Sequence, residues 1–361
     1  TCDIGTQSAR ALLVDPDGRI VDVVQSKYAE PYFSKEPGWA EQKPNFYFDR
    51  LCECCRELCA RSNALLPDVI AMTITVIRDT VVCLDANNEP LRDIILWLDK
   101  RTVDPNGAMP AKNMMLFKVA GMEPTAKVVY AASVGNWIMR HEPKIWARTA
   151  KYVMLPTYLN YKLTGNLIDS ASNQIGHIPF DYKNRRWMKP GSLTRCFCDV
   201  PNEKLCDLVP SGTVIGTITD EVCALTGIPA GLPLISTGSD KGCETLGLAV
   251  VDSDKASISL GTTATIQFST TEYVEPQQFL PAYPGVLNDH YNPEIEIYRG
   301  LWLLSWFVKE FGTADAIDAK EKGMAPEALL DQRIRDLPAG SDGLLLQPYW
   351  TAGILHPDSL G

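Results

Sequence analysis

The chain has 361 residues, 45% hydrophobic and 22% charged, the balance of a globular protein with an ample core and room for two or three domains. Its formal net charge of -10 excludes a general nucleic-acid surface, which needs a basic face, but not a small anion held by backbone amides and a metal. No apolar run reaches the roughly 18 residues of a membrane helix, and the densest stretch, 301–308, is interrupted by Ser305.

The opening Thr1-Cys2-Asp3 lacks Met and reads as the end of a strand rather than a secretory leader. With the abrupt close at Asp358-Ser359-Leu360-Gly361, it leads us to expect part of a longer protein. Strands are expected over 9–15 and 19–24, joined by the Pro16-Asp17-Gly18 turn. A loop over 31–38 precedes a helix over 44–65, with Pro44 acceptable in its first turn. Apolar strands follow at 69–75, 80–85 and 91–97. Residues 102–162 read as mainly helical, broken at Pro143 and Pro156 and stopped by Gly165. Next come a strand at 214–219, a helix at 220–226, a turn at 227–231, a strand at 233–237 and a helix at 241–248. Cys52, Cys55 and Cys59 share one face of the first long helix and read as small buried residues, since the four histidines lie elsewhere. An odd count of 11 cysteines without a secretory signal suggests reduced thiols in the cytoplasm.

One pattern occurs twice. Ile4-Gly5-Thr6 and Leu260-Gly261-Thr262 each lead through short polar residues into a β-prone run, the pattern of a strand, a tight glycine turn and a returning strand. The backbone N–H groups and hydroxyls of such turns suit an anion. Two copies imply two related halves of an α/β protein facing one phosphate-rich ligand, with a boundary near Val250. Between the copies, Asp240 follows a strand and Gly238-Ser239 and opens a helix. There a carboxylate either caps the helix or projects into the cleft as a base for an attacking hydroxyl, and the two roles can coexist.

Six motifs in order carry a resemblance: Asp3-Ile-Gly-Thr-Gln-Ser-Ala-Arg10, Gly38-Trp-Ala-Glu-Gln42, Leu96-Trp-Leu-Asp-Lys-Arg101, Gly238-Ser-Asp240, Leu260-Gly-Thr-Thr263 and Gly343-Leu-Leu-Leu-Gln-Pro348. Together they resemble the FGGY carbohydrate kinases. The resemblance implies a duplicated α/β fold of the actin/hexokinase/Hsp70 (ribonuclease H-like) ATPase type, with two domains around a cleft. Residues 1–250 would form the N-terminal domain and 251–361 part of the C-terminal one. It implies ATP-dependent phosphorylation of a small sugar or polyol with Mg²⁺, by a cytoplasmic enzyme without nucleic-acid or membrane partners; a homodimer stays open. Asp3 would hold Mg²⁺ through water. Gly5, Thr6, Gln7 and Ser8 would lie over the γ-phosphate, with Arg10 closing that motif. Gly261, Thr262 and Thr263 would form the second phosphate motif. Asp240 would be the catalytic base and lie beside the metal. The family's adenosine motif is expected beyond Pro348.

Substrate contacts are read more openly. Arg78 resembles the arginine that binds the polyol in glycerol kinases, and Asp79 stands for their glutamate, one methylene shorter. The pair could equally be a solvated charge pair in a turn. The Met-His-Gly of pentulose kinases is absent from this segment. Trp97 walls the sugar site or belongs to the core, and Asp99 with Arg101 suggests a local salt bridge. Lys241 stands where the family commonly has Gln or Asn. It would meet an acidic or phosphorylated substrate, pair with Asp240 and lower its pKa, or point away. The alternatives to a neutral-sugar kinase are therefore a kinase for an acidic sugar and a non-catalytic nucleotide-binding protein of the actin or Hsp70 type.

Overall fold

The computed structural model describes residues 1–346 apart from Thr262 and residues 278, 279, 298 and 299. Thr262, together with Gln347 and Pro348 of the last motif, lies outside the described residues. Strand Cys2–Ile4 runs into Gly5, whose N–H donates to Ser8 O at 3.0 Å, and the chain returns as Ser8–Val14. Asp15 to Gly18 then turn it into Ile20–Lys27, giving the expected antiparallel meander. The second copy behaves alike. Ala256–Leu260 and Ala264–Phe268 pair antiparallel, and Gly261 N–H donates to Thr263 O at 2.9 Å.

The main sheet has six strands, in the order Val214–Thr217, Pro233–Ile235, Met72–Val76, Cys2–Ile4, Ser8–Val14, Ile20–Lys27. Met72–Val76 is parallel to both Cys2–Ile4 and Pro233–Ile235. These three strands therefore end at the same edge of the sheet, and their continuations lead to Thr6, Arg78 and Asp240. Ligands of open α/β sheets bind outside such an edge. Helix Phe46–Arg61 covers one face of the sheet with Leu51, Cys52, Cys54, Cys55, Leu58 and Cys59, all buried. Cys2 Sγ lies 3.4 Å from Cys55 Sγ, so these thiols pack the sheet-helix seam.

Several expected boundaries move. The first long helix ends at Arg61 and a 3₁₀ segment, Asn63–Asp68, replaces its last turn. Residues 102–162 contain a strand, Lys151–Met154, that pairs with Val81–Leu84. Its buried Tyr152, Val153 and Met154 form an apolar run too short for periodicity to separate helix from strand. Pro143 and Pro156 sit in first turns of helices, where a missing N–H costs nothing. Gly165 ends Leu155–Thr164 with φ 81°, as expected of a left-handed C-cap.

A second sheet joins the strands Glu41–Gln42, Ile94–Ile95, Val81–Leu84 and Lys151–Met154. Two of the six motifs meet beside it. Asp99 accepts from Ala40 N–H at 2.6 Å and grips Arg101 through two oxygens at 2.8 Å each. Arg101 also reaches Glu41 at 2.9 Å and stacks over the Trp39 ring at 3.8 Å. The expected Asp99–Arg101 salt bridge is thus present, buried, and part of a larger ion network that orders the loops at 38–42 and 96–101. A third sheet sets Glu294–Ile297 beside the second hairpin. Ser257, Thr265, Gln267 and Glu294 are buried, whereas Ile258, Ile266 and Ile295 between them are exposed, so alternation here turns polar residues inward.

Candidate active site

Asp240 is aimed by the end of strand Pro233–Ile235. Thr237 Oγ1 donates to Ile74 O, and Thr75 Oγ1 donates to Gly238 O at 3.2 Å, tying the turn to the neighbouring parallel strand. Gly238 is required by proximity, because a Cβ there would lie 2.7 Å from Val286 Cγ2. The helix Asp240–Gly247 is capped by Ser239, whose hydroxyl accepts from Gly242 N–H at 3.2 Å. Ser239, not Asp240, is the N-cap, so the Asp240 carboxylate is not held in the capping bond. It accepts only from the Lys241 N–H among the described hydrogen bonds, at 2.9 Å, and faces the cleft. Burial raises its pKa, opposed by the nearby Arg78 and Lys241 charges.

The cleft is a cavity of about 650 Å³ lined by Asp240, by Thr6 of the first glycine turn and by Gly261 and Thr263 of the second. The two turns and the carboxylate, read separately in the sequence, therefore share one space. Trp97 Nε1–H donates to Thr6 Oγ1 at 3.0 Å, which leaves the Thr6 proton available for an anion. Trp97 lines the cavity and also packs against the main core. Asp3 and Arg10 pair at 2.6 Å across the first two strands, outside the cavity lining. Gln7 is exposed, and its carbonyl accepts from Tyr28 N–H. Ser8 is buried in the sheet, its hydroxyl donating to the Gln25 side-chain oxygen at 3.2 Å.

Arg78 and Asp79 are not a solvated charge pair. They part company. Arg78 crosses to the third sheet, where Nη2 meets Glu294 Oε1 at 2.7 Å, its Nε stays 3.9 Å from Asp240 Oδ1, and its guanidinium stands 5.4 Å from the centre of the Tyr283 ring. Burial disfavours the Arg78 charge, but Glu294 and Asp240 more than offset this and raise its pKa. Its Nη1 is buried without a hydrogen-bond partner. Asp79 turns the other way, toward His177. Oδ1 accepts from His177 N–H at 2.9 Å and Oδ2 is 2.8 Å from His177 Nδ1. Burial works against the Asp79 charge, yet His177 holds its carboxyl below the ordinary range, and Asp79 in turn raises the His177 pKa against burial.

Lys241 Nζ binds Glu244 at 2.9 Å and Ser259 Oγ at 2.8 Å, spanning the helix and the third sheet. Of the three roles left open for it, this geometry favours a structural tie, while its charge still lowers the Asp240 pKa.

Three residues of the cavity wall were not expected. His177 lies in a tract organised by buried Asp169, which accepts from Thr157, Asn160, Asn173 and Gln174 side chains and from Ser170 N–H. Burial pushes that carboxyl up to about 6 against these bonds. The signal was the dense polar run 169–177 before an apolar one. Glu294 and Glu296 alternate with Ile295 and Ile297, a strand pattern whose polar face is ordinarily assigned to solvent. Here that face is inward, and burial raises the Glu296 pKa.

A family model for the N-terminal domain of the FGGY family of carbohydrate kinases matches residues 1–247. The chain belongs to the FGGY family. Relatives include an uncharacterized sugar kinase, YgcE, of Escherichia coli, 25% identical over 360 residues that cover 99% of this chain and 65% of that protein. The xylulose kinase of Bacillus subtilis is 24% identical over 360 residues, covering 96% of this chain and 66% of its own. The chain thus spans about 65% of the length of these FGGY relatives. A crystal structure of gluconate kinase from Lactobacillus acidophilus superposes with a TM-score of 0.76 at 22% identity, covering 97% of this chain and 68% of that one. The fold is accordingly the two-domain actin/hexokinase-like ATPase fold of FGGY kinases, as the six motifs implied. Among the described residues no helix is long and apolar enough to cross a membrane.

Proposed function

We propose that the protein phosphorylates a hydroxyl of a small neutral sugar or polyol at the expense of ATP. The observation that carries this is Asp240: a half-buried carboxylate relieved of capping by Ser239, in the same cavity as both glycine turns. A carboxyl pKa raised by burial suits a general base for an alcohol. Its role is to accept the hydroxyl proton as the oxygen attacks, the usual task of the base in phosphoryl transfer.

The fit to a phosphate chain rests on the turns. Both turns close through a backbone hydrogen bond, and Thr6 and Thr263 stand on the cavity wall. Gly5, Thr6, Gln7 and Ser8 on one side and Gly261, Thr262 and Thr263 on the other are the residues we assign to the phosphates, with Arg10 bracing Asp3. Asp3 through water, and Asp240, are those we assign to Mg²⁺. Bound MgATP supplies the transferable phosphoryl group and a divalent charge that offsets its oxygens. Arg78 and Trp97, both on the cavity wall, are the residues we assign to orienting the acceptor. The cavity wall carries Asp79, Asp240, Glu294 and Glu296, and the Lys241 charge is already met by Glu244. This favours a neutral acceptor over an acidic sugar. The boundary between the two halves is placed near Val250.

The test is a coupled ADP-release assay over polyols, ketopentoses, deoxyketoses and sugar acids, repeated with Asp240→Asn. The expected result is turnover of a neutral substrate by wild type. Asp240→Asn should lose at least about two orders of magnitude in kcat with ATP binding nearly intact. Turnover retained in Asp240→Asn removes it as the base. A wild type that binds ATP but phosphorylates nothing points to the non-catalytic alternative.

A further inference from the structure

We infer that His177 is a substrate-recognition residue of the cavity wall that Arg78 also lines, with Asp79 as its positioning residue. This rests on the kinase function proposed above. Both Asp79 oxygens are taken by His177, one by its backbone N–H at 2.9 Å and one by its ring Nδ1 at 2.8 Å. The arrangement is built rather than incidental. Asp79 holds a left-handed φ of 47°, unusual for a non-glycine residue. Gly176 faces it with φ 146°, and a Cβ at Gly176 would fall 2.2 Å from Asp79 Oδ1. Asp79 N–H donates to Ile175 O at 3.0 Å, closing the two segments on each other. Tyr182 brackets Gly176 through its N–H and its carbonyl.

The remaining ring nitrogen, Nε2, has no hydrogen-bond partner among the described residues, and the side chain is one-third exposed (33%) on the cavity. With the Nδ1 proton directed at Asp79, Nε2 is an acceptor while the ring is neutral and a donor once the ring is protonated, the form that Asp79 favours. Arg78, its side chain 16% exposed, lines the same cavity and carries only donors. One donor and one acceptor complement hydroxyl groups, each of which both accepts and donates. A hydroxyl can meet Nε2 in either protonation state, whereas a carboxylate has no proton for the neutral ring, so discrimination against an acid is expected above the His177 pKa. The acceptor class is thus a neutral polyhydroxylated compound with hydroxyls spanning Arg78 and His177, and the shorter carboxylate of Asp79 acts through the imidazole.

Two variants separate the ring's two edges. In His177→Asn the amide can keep the bond to Asp79 but lacks the substrate-side atom. In His177→Gln the longer amide reaches toward that position. His177→Asn is expected to raise the acceptor KM roughly tenfold, more than it lowers kcat, with the ATP KM unchanged and His177→Gln recovering part of the loss. In wild type, the ¹⁵N resonance of His177 Nε2 is expected to move on saturation with the best polyol and to stay put with the corresponding sugar acid. An unchanged acceptor KM in His177→Asn, or an Nε2 resonance indifferent to the polyol, overturns the assignment while wild-type turnover upholds the kinase function. If wild type itself shows no turnover with any acceptor and no Nε2 response, the kinase function and the assignment fall together.

Discussion

Glu294→Gln tests how the third sheet governs Asp240. Glu294 is buried, 2.7 Å from Arg78 Nη2, and accepts from Gln267 Nε2, whose own oxygen accepts from Thr245 at 2.6 Å. Glutamine can keep every hydrogen bond of this chain. If its oxygen faces Arg78, its amide donates to a flipped Gln267, which then donates to Thr245, and Thr245 still donates to Lys241 O at 2.9 Å. The substitution thus removes charge and little else. At an effective dielectric constant of about 20, the 2.7 Å attraction is about 6 kcal/mol, and the relief of desolving one carboxylate returns several of these. A net loss of about 2 kcal/mol should lower the Tm by roughly 3 °C in a chain of 361 residues. Arg78 then has Asp240 as its nearest carboxylate, now 3.9 Å from Nε. Closing to about 2.8 Å raises that attraction from about 4 to about 6 kcal/mol, so the proton affinity of Asp240 falls by about tenfold or more. The acid limb of the kcat/KM profile should move to lower pH, with kcat reduced because the base is weaker. An acid limb that stays in place, with Tm lowered as expected, refutes the link from Glu294 through Arg78 to Asp240.

Gly176→Ala forces a Cβ to within 2.9 Å of Asp79 Cα, so it should cost about 1–3 kcal/mol in thermal unfolding and raise the acceptor KM; a wild-type Tm refutes the close packing of these segments. Lys241→Gln loses a tie to half-exposed Glu244, so it should cost no more than about 1 kcal/mol and leave a neutral acceptor's KM within about threefold. A larger rise in KM would return Lys241 to the substrate. The Asp79–His177 pair has a defined pH window. His177, raised above 6.5, contributes fully below that value and loses its share as pH rises through its higher folded pKa. Asp79, held below 3.8, contributes above that value and loses its share as pH falls through its lower folded pKa. The stability gap between wild type and Asp79→Asn in urea should therefore be widest between pH 3.8 and 6.5 and narrow at alkaline pH. A gap independent of pH refutes the ion pair.

The sequence by itself determined the parts whose causes are local. Gly5 and Gly261 announce tight turns and both turns formed, although neither glycine takes a left-handed φ: a Cβ would crowd Ser8 O at 3.3 Å in the first turn but first meet Thr263 O at 4.0 Å in the second. Thr219, Asp220 and Gly227 bracket a helix because caps act within a few residues, and the helix runs Asp220–Thr226. Six short motifs in order were enough to reach the FGGY family and its fold. Other features depended on distant partners. Asp79 and His177 are 98 positions apart, and Arg78 and Glu294 are 216 apart, so neither pairing leaves a trace in spacing or periodicity. Glu294–Ile297 forms a strand whose inward-facing side is set by Arg78, which pairs with Glu294. Asp240 could be placed at a helix start from its neighbours. That its carboxylate escapes capping was decided by Ser239 and by the packing of the strand ends, because a cap and a cleft residue look the same until the chain around them is folded.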